Sequence, residues 1–211
     1  MAFKTEQETF WAGEFGDAYI ERNDGDHWVA ANTSLFAQIF CCANSINSII
    51  EFGANIGLNL MAIERLLPEA ELSGVEINSR AAAILRDNVL SAKVYEQSIL
   101  DFKTTQPRDL AFTKGVLIHI EPESLNQVYE TLYRSSRRYI LVCEYYNPAP
   151  VEIEYRGHPG KLFKRDFAGE MLDMFDLRLV DYGFVYHRDK VFPQDDMNWF
   201  LLEKYAGTDP A

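Results

Sequence analysis

Two acidic residues flank a glycine-bearing loop at a spacing that can hold a nucleotide. Glu51 ends an apolar run, and the loop from Gly53 to Gly57 follows it closely. Glu76 ends a second apolar run about 20 residues beyond Gly57, a distance usual for an acid that binds a ribose. A strand, a glycine loop, a helix, a second strand and an acid in this order are typical of the nucleotide-binding half of a doubly wound sheet.

The loop sequence argues against a dinucleotide as the ligand. A dinucleotide-binding loop has the pattern Gly-x-Gly-x-x-Gly, in which the glycines let the backbone approach the pyrophosphate. Asn55 stands at the second glycine position, and Leu58 stands at the sixth. Asn tolerates left-handed backbone angles, so Asn55 can still form the turn, but the dinucleotide pattern fails at two positions.

Glu51 favours S-adenosylmethionine (SAM) as the ligand. An acid two residues before the first glycine would repel a pyrophosphate, whereas it can pair with the ammonium group of SAM, directly or through water. SAM also contains a ribose, whose two hydroxyls Glu76 can bind. The alternative is an ordinary strand, turn and helix without a ligand.

The composition limits the class of protein and of partner. The chain has 211 residues, 47% of them hydrophobic, which is enough for one large domain or a domain with a small cap. Its net charge of −12 repels phosphate backbones, so we expect no nucleic-acid partner. Three cysteines without metal-ligand spacing fit reduced thiols in the cytoplasm. We expect no metal site, no signal peptide and no membrane span.

Apolar runs that alternate with helical patterns predict an α/β fold. We expect a doubly wound, seven-stranded, mostly parallel sheet with helices on both faces. The strands are predicted near residues 47–52, 72–77, 94–97, 109–113, 139–143, 177–182 and 199–204. The last two strands are joined without a helix, and a parallel crossover normally needs one, so the last strand is predicted to be antiparallel.

The helices and domains follow from the same patterns. Helices are predicted near residues 5–23, 56–67, 79–89, 123–134 and 166–175, with another that ends at Ala43 and is capped at residues 32–34. We divide the chain into an N-terminal helical lid segment at 1–44 and a SAM-binding domain at 45–211. No helix is predicted in 144–166, which we interpret as an insert on the acceptor side.

Three stretches carry a resemblance to known methyltransferases: FWAGEFGDAYIERN at 10–23, EFGANIGLNL at 51–60 and TKGVLIHI at 113–120. Over roughly residues 45–205 the chain resembles class I SAM-dependent methyltransferases. On the three stretches it more closely resembles the family of pseudaminic acid biosynthesis-associated methylases. That resemblance implies a role in the biosynthesis of bacterial surface sugars without defining an acceptor. Asn55 departs from the class pattern, which has a glycine there.

Ligands bind outside the carboxyl ends of the strands in such sheets, so the strand ends nominate the cofactor site. The cofactor-binding residues predicted there are Glu51, Gly53, Asn55, Gly57, Glu76, Ile77, Ser98, Ile99, Lys114 and Leu117. Trp11 and Tyr19 form either a lid over the cofactor or a helix face packed on the core. Arg22 can bind the SAM carboxylate as a fork, or it forms a surface salt bridge.

The acceptor side is predicted from the fourth and fifth strand ends and the insert. His119, His158 and Tyr145 are the candidate bases, in falling order, and a base is needed only for a hydroxyl or a protonated amine. Tyr146, Arg156 and Lys161 are the predicted substrate-binding residues. Arg156, Lys161, Lys164 and Arg165 form a basic cluster, which either clamps an anionic acceptor or is a solvated loop.

Together these observations predict a SAM-dependent methyltransferase that acts on a small anionic acceptor, such as a sugar or a nucleotide-linked sugar. The alternatives are a non-catalytic SAM-binding scaffold, a methyltransferase of an unrelated small carboxylic acid or amine, and an NAD-dependent oxidoreductase, against which the loop argues. The sequence leaves the oligomeric state open.

Overall fold

The predicted doubly wound sheet is confirmed. The computed structural model describes residues 3–23 and 25–205, so the ends of the two predicted domain ranges, at 1–2 and 206–211, lie outside the described residues. The strands are β1 (Ser48–Phe52), β2 (Glu71–Glu76), β3 (Lys93–Glu96), β4 (Arg108–Lys114), β5 (Ser136–Glu144), β6 (Val151–Tyr155), β7 (His158–Lys164), β8 (Leu177–Val185) and β9 (Met197–Lys204). The helices are α1 (Glu6–Ala12), α2 (Glu14–Arg22), α3 (Asp26–Phe40), α4 (Leu58–Leu66), α5 (Ser79–Asn88), α6 (Leu125–Ser135) and α7 (Phe167–Met174).

Seven of the strands form one sheet in the order β3-β2-β1-β4-β5-β9-β8. The first five of these are parallel to one another. β9 lies between β5 and β8 and is antiparallel to both, as the short connection to β9 predicts. The carboxyl ends of β1 to β5 therefore meet at one edge of the sheet, where the strand order reverses between β1 and β4.

Helices cover both faces, which explains why the central strands are continuous apolar runs. All five residues of β1 are buried. One face packs on α3, α4 and α5 through residues such as Phe36, Ile63 and Leu85. The other face packs on α6 and α7 through residues such as Leu132 and Met171. A parallel sheet that is covered on both faces needs apolar residues at successive positions rather than at alternate ones.

The N-terminal segment differs from the single helix predicted at 5–23. The helix breaks at Gly13, whose backbone is extended, and α2 folds back on α1. A side chain at position 16 would overlap the carbonyl oxygen of Trp11, so Gly16 permits this close approach of the two helices. The next helix also begins earlier than predicted, at Asp26, and Asn32 lies inside it rather than at its cap.

The insert after β5 is an antiparallel hairpin, β6–β7, rather than an irregular loop. Arg156 and Gly157 form its turn, with φ angles of 51° and 84°. Two consecutive residues at positive φ are typical of the two-residue turns whose twist matches that of a hairpin. The hairpin brings the turn back over the carboxyl edge of the main sheet.

Candidate cofactor and acceptor site

A cavity of about 470 Å³ opens at the carboxyl edge of the sheet, beneath the N-terminal helices. Its first half is lined by the ends of β1, β2 and β3. Its second half is lined by the residues after β4 and β5, by the hairpin turn and by the loop between β8 and β9. The position agrees with the site that the strand ends predict.

The loop after β1 is a left-handed turn that needs glycine at both ends. Gly53, Asn55 and Gly57 have φ angles of 74°, 46° and 88°. A Cβ atom at position 53 would lie 2.5 Å from a methyl group of Val116, and one at position 57 would overlap Leu85. Asn55 replaces the middle glycine without loss of the turn, because its side-chain oxygen accepts the N–H of Ile56 at 2.7 Å.

Every backbone N–H of the loop from 53 to 57 already has an acceptor within the protein. The acceptors are the Val75 carbonyl for Gly53 and Ala54, the Glu76 carboxylate for Asn55, the Asn55 side chain for Ile56 and the Ala54 carbonyl for Gly57. A pyrophosphate is bound by free N–H groups at such a loop. This loop therefore offers none of its own N–H groups to a phosphate.

Glu76 is held at the end of β2 by two backbone donors. Its oxygens accept the N–H groups of Asn55 at 2.7 Å and of Asn78 at 2.8 Å. Burial raises the pKa of the carboxyl group above its ordinary value, and these hydrogen bonds oppose the shift. Asn78 also caps α5 by accepting the N–H of Ala81, and its amide donates to Asp17 at 2.9 Å. Asn78 thus links the carboxylate to the N-terminal lid.

Glu51 is fully buried below the cavity. One of its oxygens accepts the side-chain N–H of Asn59 at 2.6 Å, and the other has no hydrogen-bond partner among the described residues. Burial raises the pKa of Glu51 to about 8, while Asn59 and the charge of Lys114 oppose the shift. Asn59 and Lys114 line the cavity, whereas Glu51 does not. A cationic group that approached Glu51 would therefore meet Asn59 first.

The lid contributes aromatic rings to the cavity. Trp11 and Tyr19 both line it, with their ring centroids 5.3 Å apart in an edge-to-face arrangement. The guanidinium of Arg22 lies over Tyr19 at 5.9 Å and over Phe15 at 5.3 Å, and Arg22 also lines the cavity. The segment from α1 to α2 is therefore a roof over the strand ends.

His119 follows β4 and is buried against the roof. Its ring lies 4.6 Å from that of Trp11 and 4.9 Å from that of Tyr155. Nδ1 lies 2.7 Å from the carbonyl oxygen of Lys161, and since a carbonyl only accepts, Nδ1 carries the proton. Burial lowers the pKa of His119 to about 4. The ring is therefore neutral at pH 7, with a lone pair on Nε2.

Tyr145 and Asp195 face the same part of the cavity. The Tyr145 hydroxyl donates to Asp195 at 2.8 Å. Burial raises the pKa of Tyr145, and the charge of Asp195 raises it further. Tyr145 is thus held as a proton donor, which makes it unsuitable as a base. Asp195 belongs to the loop between β8 and β9, where we predicted no site residue.

The comparisons with known proteins agree on the fold. The magnesium protoporphyrin IX methyltransferase ChlM from Synechocystis PCC 6803, solved with bound SAM, matches with a TM-score of 0.69 and 12% identity over 97% of this chain and 100% of that one. CalS10, an amino pentose methyltransferase from Micromonospora echinaspora, matches with a TM-score of 0.65 and 9% identity over 90% and 96%. The chain has the class I SAM-dependent methyltransferase fold. No protein-family model matches it, and no curated protein matches it in sequence.

Most of the predicted site residues line the cavity of this methyltransferase fold. Those that do are Trp11, Tyr19, Arg22, Gly53, Asn55, Glu76, Ile77, Ser98, Ile99, Lys114, His119, Tyr145 and Arg156. Gly57 and Leu117 are buried and do not line the cavity, but both are neighbours in sequence of residues that do. The binding role of every residue in this set stays a prediction.

Three predicted acceptor-side residues lie away from the cavity. His158 is exposed and packs against Phe10, with ring centroids 5.1 Å apart. Tyr146 is 40% exposed and lies near Phe200. The Lys161 side chain pairs with Glu6 at 3.2 Å. His158 and Lys161 belong to the second strand of the hairpin, whereas Tyr146 lies between β5 and the hairpin, and none of the three lines the cavity.

The basic cluster is also divided by the hairpin. Arg165 pairs with Glu170 at 3.2 Å, and Lys164 lies over the ring of Tyr145 at 4.9 Å. Of the four cations in the cluster, only Arg156 lines the cavity. The four cations therefore do not line one common site among the described residues. Whether the cluster clamps an acceptor or is a solvated loop stays a prediction.

Glu144 has a structural role that the sequence analysis did not assign. One of its oxygens, Oε1, accepts the N–H groups of Val116 at 3.0 Å and Leu117 at 3.1 Å, so it holds the short 3₁₀ turn that carries His119. Burial raises the pKa of Glu144 to about 7. The sequence does indicate this role in part, because Glu144 ends β5, which pairs with β4 in this fold and so brings Glu144 close to the residues that follow β4.

Residues 3–23 and 25–205 contain no cluster of histidine, cysteine or acidic side chains that could hold a metal ion. Within the same residues, no helix has the length and apolar character that a membrane crossing needs.

Proposed function

We propose that the protein is a SAM-dependent methyltransferase that acts on a small anionic acceptor. The observation that carries this proposal is the loop from 53 to 57, whose N–H groups are all bound internally between two buried acids. Such a loop opposes a pyrophosphate and suits a ligand with an ammonium group and a ribose. The neighbours of this fold that were solved with SAM support the same ligand.

The residues of the first half of the cavity fit SAM. Glu51, with Asn59, would hold the ammonium group, and Glu76 would hold the ribose hydroxyls. Ile77 and Ile99 would flank the adenine ring, with Ser98 beside it, and Arg22 would bind the carboxylate. SAM supplies an activated methyl group on a sulfonium. Because the leaving group is already activated, the protein mainly has to orient the acceptor and exclude water.

His119 is the proposed general base for an acceptor that must lose a proton. Its neutral ring has a lone pair on Nε2, since Nδ1 donates to the Lys161 carbonyl. The 3₁₀ turn that Glu144 holds fixes the ring at the mouth of the second half of the cavity. Tyr145 would position the acceptor through Asp195 rather than accept its proton.

Arg156 is the proposed contact for the anionic group of the acceptor. It lines the cavity at the hairpin turn, while Lys161 and Arg165 are paired with acids. We propose a sugar or nucleotide-linked sugar of bacterial surface glycan biosynthesis as the acceptor. We also propose that the protein acts in the cytoplasm. The family resemblance supports this class, and so does the amino pentose methyltransferase among the neighbours of the same fold.

Calorimetry with SAM, S-adenosylhomocysteine and NAD tests the cofactor. We expect the first two to bind and NAD not to bind. Glu76→Ala should weaken SAM binding by about 10-fold or more, because a charged hydrogen bond is worth about 1.5–3 kcal/mol. Glu96→Ala is the matched control, since Glu96 also ends a strand but pairs with Arg86 outside the cavity. Equal SAM affinity in the unchanged protein, Glu76→Ala and Glu96→Ala would refute the assignment of Glu76 to the cofactor site.

A transfer assay then separates an enzyme from a scaffold. Methyl-labelled SAM is incubated with the protein and a panel of nucleotide sugars and small carboxylic acids. Label should move to an acceptor with S-adenosylhomocysteine released in equal amount. SAM binding without transfer to any member of the panel would favour a scaffold or an acceptor of another class.

A further inference from the structure

An exposed carboxylate, Asp195, borders aromatic rings in the second half of the cavity. Asp195 lines the cavity together with Trp11, Tyr19, Tyr145 and Tyr155. We call these five residues the aromatic pocket. They come from the roof, from the end of β5, from the hairpin and from the β8–β9 loop, so only the folded chain brings them together.

Two of the rings lie near Trp11, and the carboxylate is hydrogen-bonded to Tyr145. The Trp11 ring lies 5.3 Å from that of Tyr19 and 6.4 Å from that of Tyr155. Tyr145 donates to one oxygen of Asp195, while its other oxygen has no donor among the described residues. The negative charge of Asp195 also raises the pKa of both Tyr19 and Tyr145, which places all three groups within electrostatic range.

Aromatic faces beside a carboxylate are a preferred environment for an ammonium ion. The negative faces of aromatic rings attract a cation. Because Arg22 already lies over Tyr19, Lys164 over Tyr145 and Arg156 over Tyr155, a ligand cation would have to meet the ring faces that these side chains leave open. The second oxygen of Asp195 can accept an N–H. A neutral hydroxyl gains nothing from the rings' charge distribution, and an anion would be repelled by Asp195. We propose that the aromatic pocket binds the reacting group of the acceptor and that this group is an amine. This inference rests on the proposed function.

The proposed step balances without another reactant. The bound ammonium first loses a proton to solvent, directly or through His119, and the nitrogen lone pair then attacks the methyl carbon. The new N–C bond forms as the S–C bond breaks, and the sulfur keeps the electron pair. The product is a methylammonium ion beside S-adenosylhomocysteine. Asp195 would stabilise the positive charge that develops on the nitrogen.

The same pocket explains how an amine and an anion can belong to one acceptor. Arg156 lines the cavity at the hairpin turn, with its guanidinium 6.0 Å from the centre of the Tyr155 ring. An amine between the rings would lie beside the negative charge of Asp195. A phosphate or carboxylate on the same acceptor would lie beside the positive charge of Arg156. The acceptor class is therefore an amine that also carries an anionic group.

A minimal ligand pair tests the pocket without knowledge of the acceptor. Binding of n-propylammonium and of 1-propanol, which have the same length, is followed by NMR chemical-shift changes in the S-adenosylhomocysteine complex. We expect saturable binding of the cation, at least 10-fold tighter than any binding of the alcohol. Asp195→Asn and Tyr155→Leu should each weaken the cation at least fivefold.

Asp196→Asn is the matched control, because Asp196 is the adjacent acid but is bound to His187 outside the cavity. It should leave binding of the cation unchanged. Equal binding of cation and alcohol, or the same affinity in Asp195→Asn as in the unchanged protein, would overturn the inference. Failure of S-adenosylhomocysteine to bind at all would instead refute the proposed function, so the two failures are distinguishable.

Discussion

The buried carboxyl of Glu51 predicts that SAM binding depends on pH in a specific direction. Burial raises its pKa to about 8 in the free protein, so at pH 7 it is mostly protonated. An ammonium group pairs with the ionised form, and binding must therefore release the proton. The affinity for SAM should rise with pH up to about 8.

The size of the effect follows from the fraction of Glu51 that is ionised. If only the ionised form binds, the apparent dissociation constant is the intrinsic value divided by that fraction. With a pKa of about 8, the affinity should rise about 20-fold between about pH 6 and 7.5, equivalent to about 1.8 kcal/mol. The pH range ends at about 7.5 because the α-amino group of SAM itself titrates at a pH of about 8.

Calorimetry in buffers of different ionisation enthalpy measures both parts of this prediction. At pH 7 the protein should release close to one proton for each SAM bound. Glu51→Gln cannot titrate, so its affinity should vary much less over the same range and its proton release should be largely lost. Glu144 also titrates near this range, with a pKa of about 7, but it is retained in the variant. A wild-type affinity that does not change with pH, or a variant with the same pH dependence, would refute the reasoning.

Three other results are expected. The melting temperature of the free protein should fall as pH rises from 6 to 8.5. The Glu51 carboxyl has a pKa of about 8 in the folded protein, so its contribution to stability is complete below its pKa in the unfolded chain and is lost as pH rises through the folded-state pKa. Glu51→Gln should make the melting temperature less dependent on pH, and an unchanged dependence would contradict this. SAM should protect the segment before residue 24 from proteolysis, and a chain without residues 1–23 should bind SAM more weakly; a truncated protein of full affinity would show that the segment only packs. Arg156→Gln should raise the acceptor KM several-fold and Lys161→Gln should not, because only Arg156 lines the cavity; equal effects in steady-state kinetics would restore the larger clamp.

The elements that could be predicted from sequence are those whose signal is local. The apolar runs of β1 and β5 are buried throughout the sheet and are recognisable without partners. The helix predicted near 79–89 was also recognisable, and it begins at Ser79 directly after its cap, Asn78. The sequence predicts the direction of β9 but not its place between β5 and β8. The missing crossover helix indicates only that the strand is antiparallel, not which strands are its neighbours.

Other features depend on contacts between distant residues. The hairpin at 151–164 was missed because β6 is mostly exposed, β7 is mostly only partly buried, and neither strand has a continuous apolar run. The charge of Lys161 was assigned to a clamp, yet its partner Glu6 lies in the first helix. No local pattern indicates such a pair. The break between α1 and α2 likewise depends on the contact of Gly16 with Trp11.

The two halves of the cavity differ in the same way, and this difference bears on function. The residues proposed to hold SAM lie mainly between 51 and 99 and follow one another along successive strands. The aromatic pocket is assembled from residues as far apart as Trp11 and Asp195, which no short motif connects. Changes in the hairpin or the last loop can therefore alter the acceptor while the first half stays intact. The identity of the acceptor is thus best tested on Asp195 and Arg156, and that of the cofactor on Glu51 and Glu76.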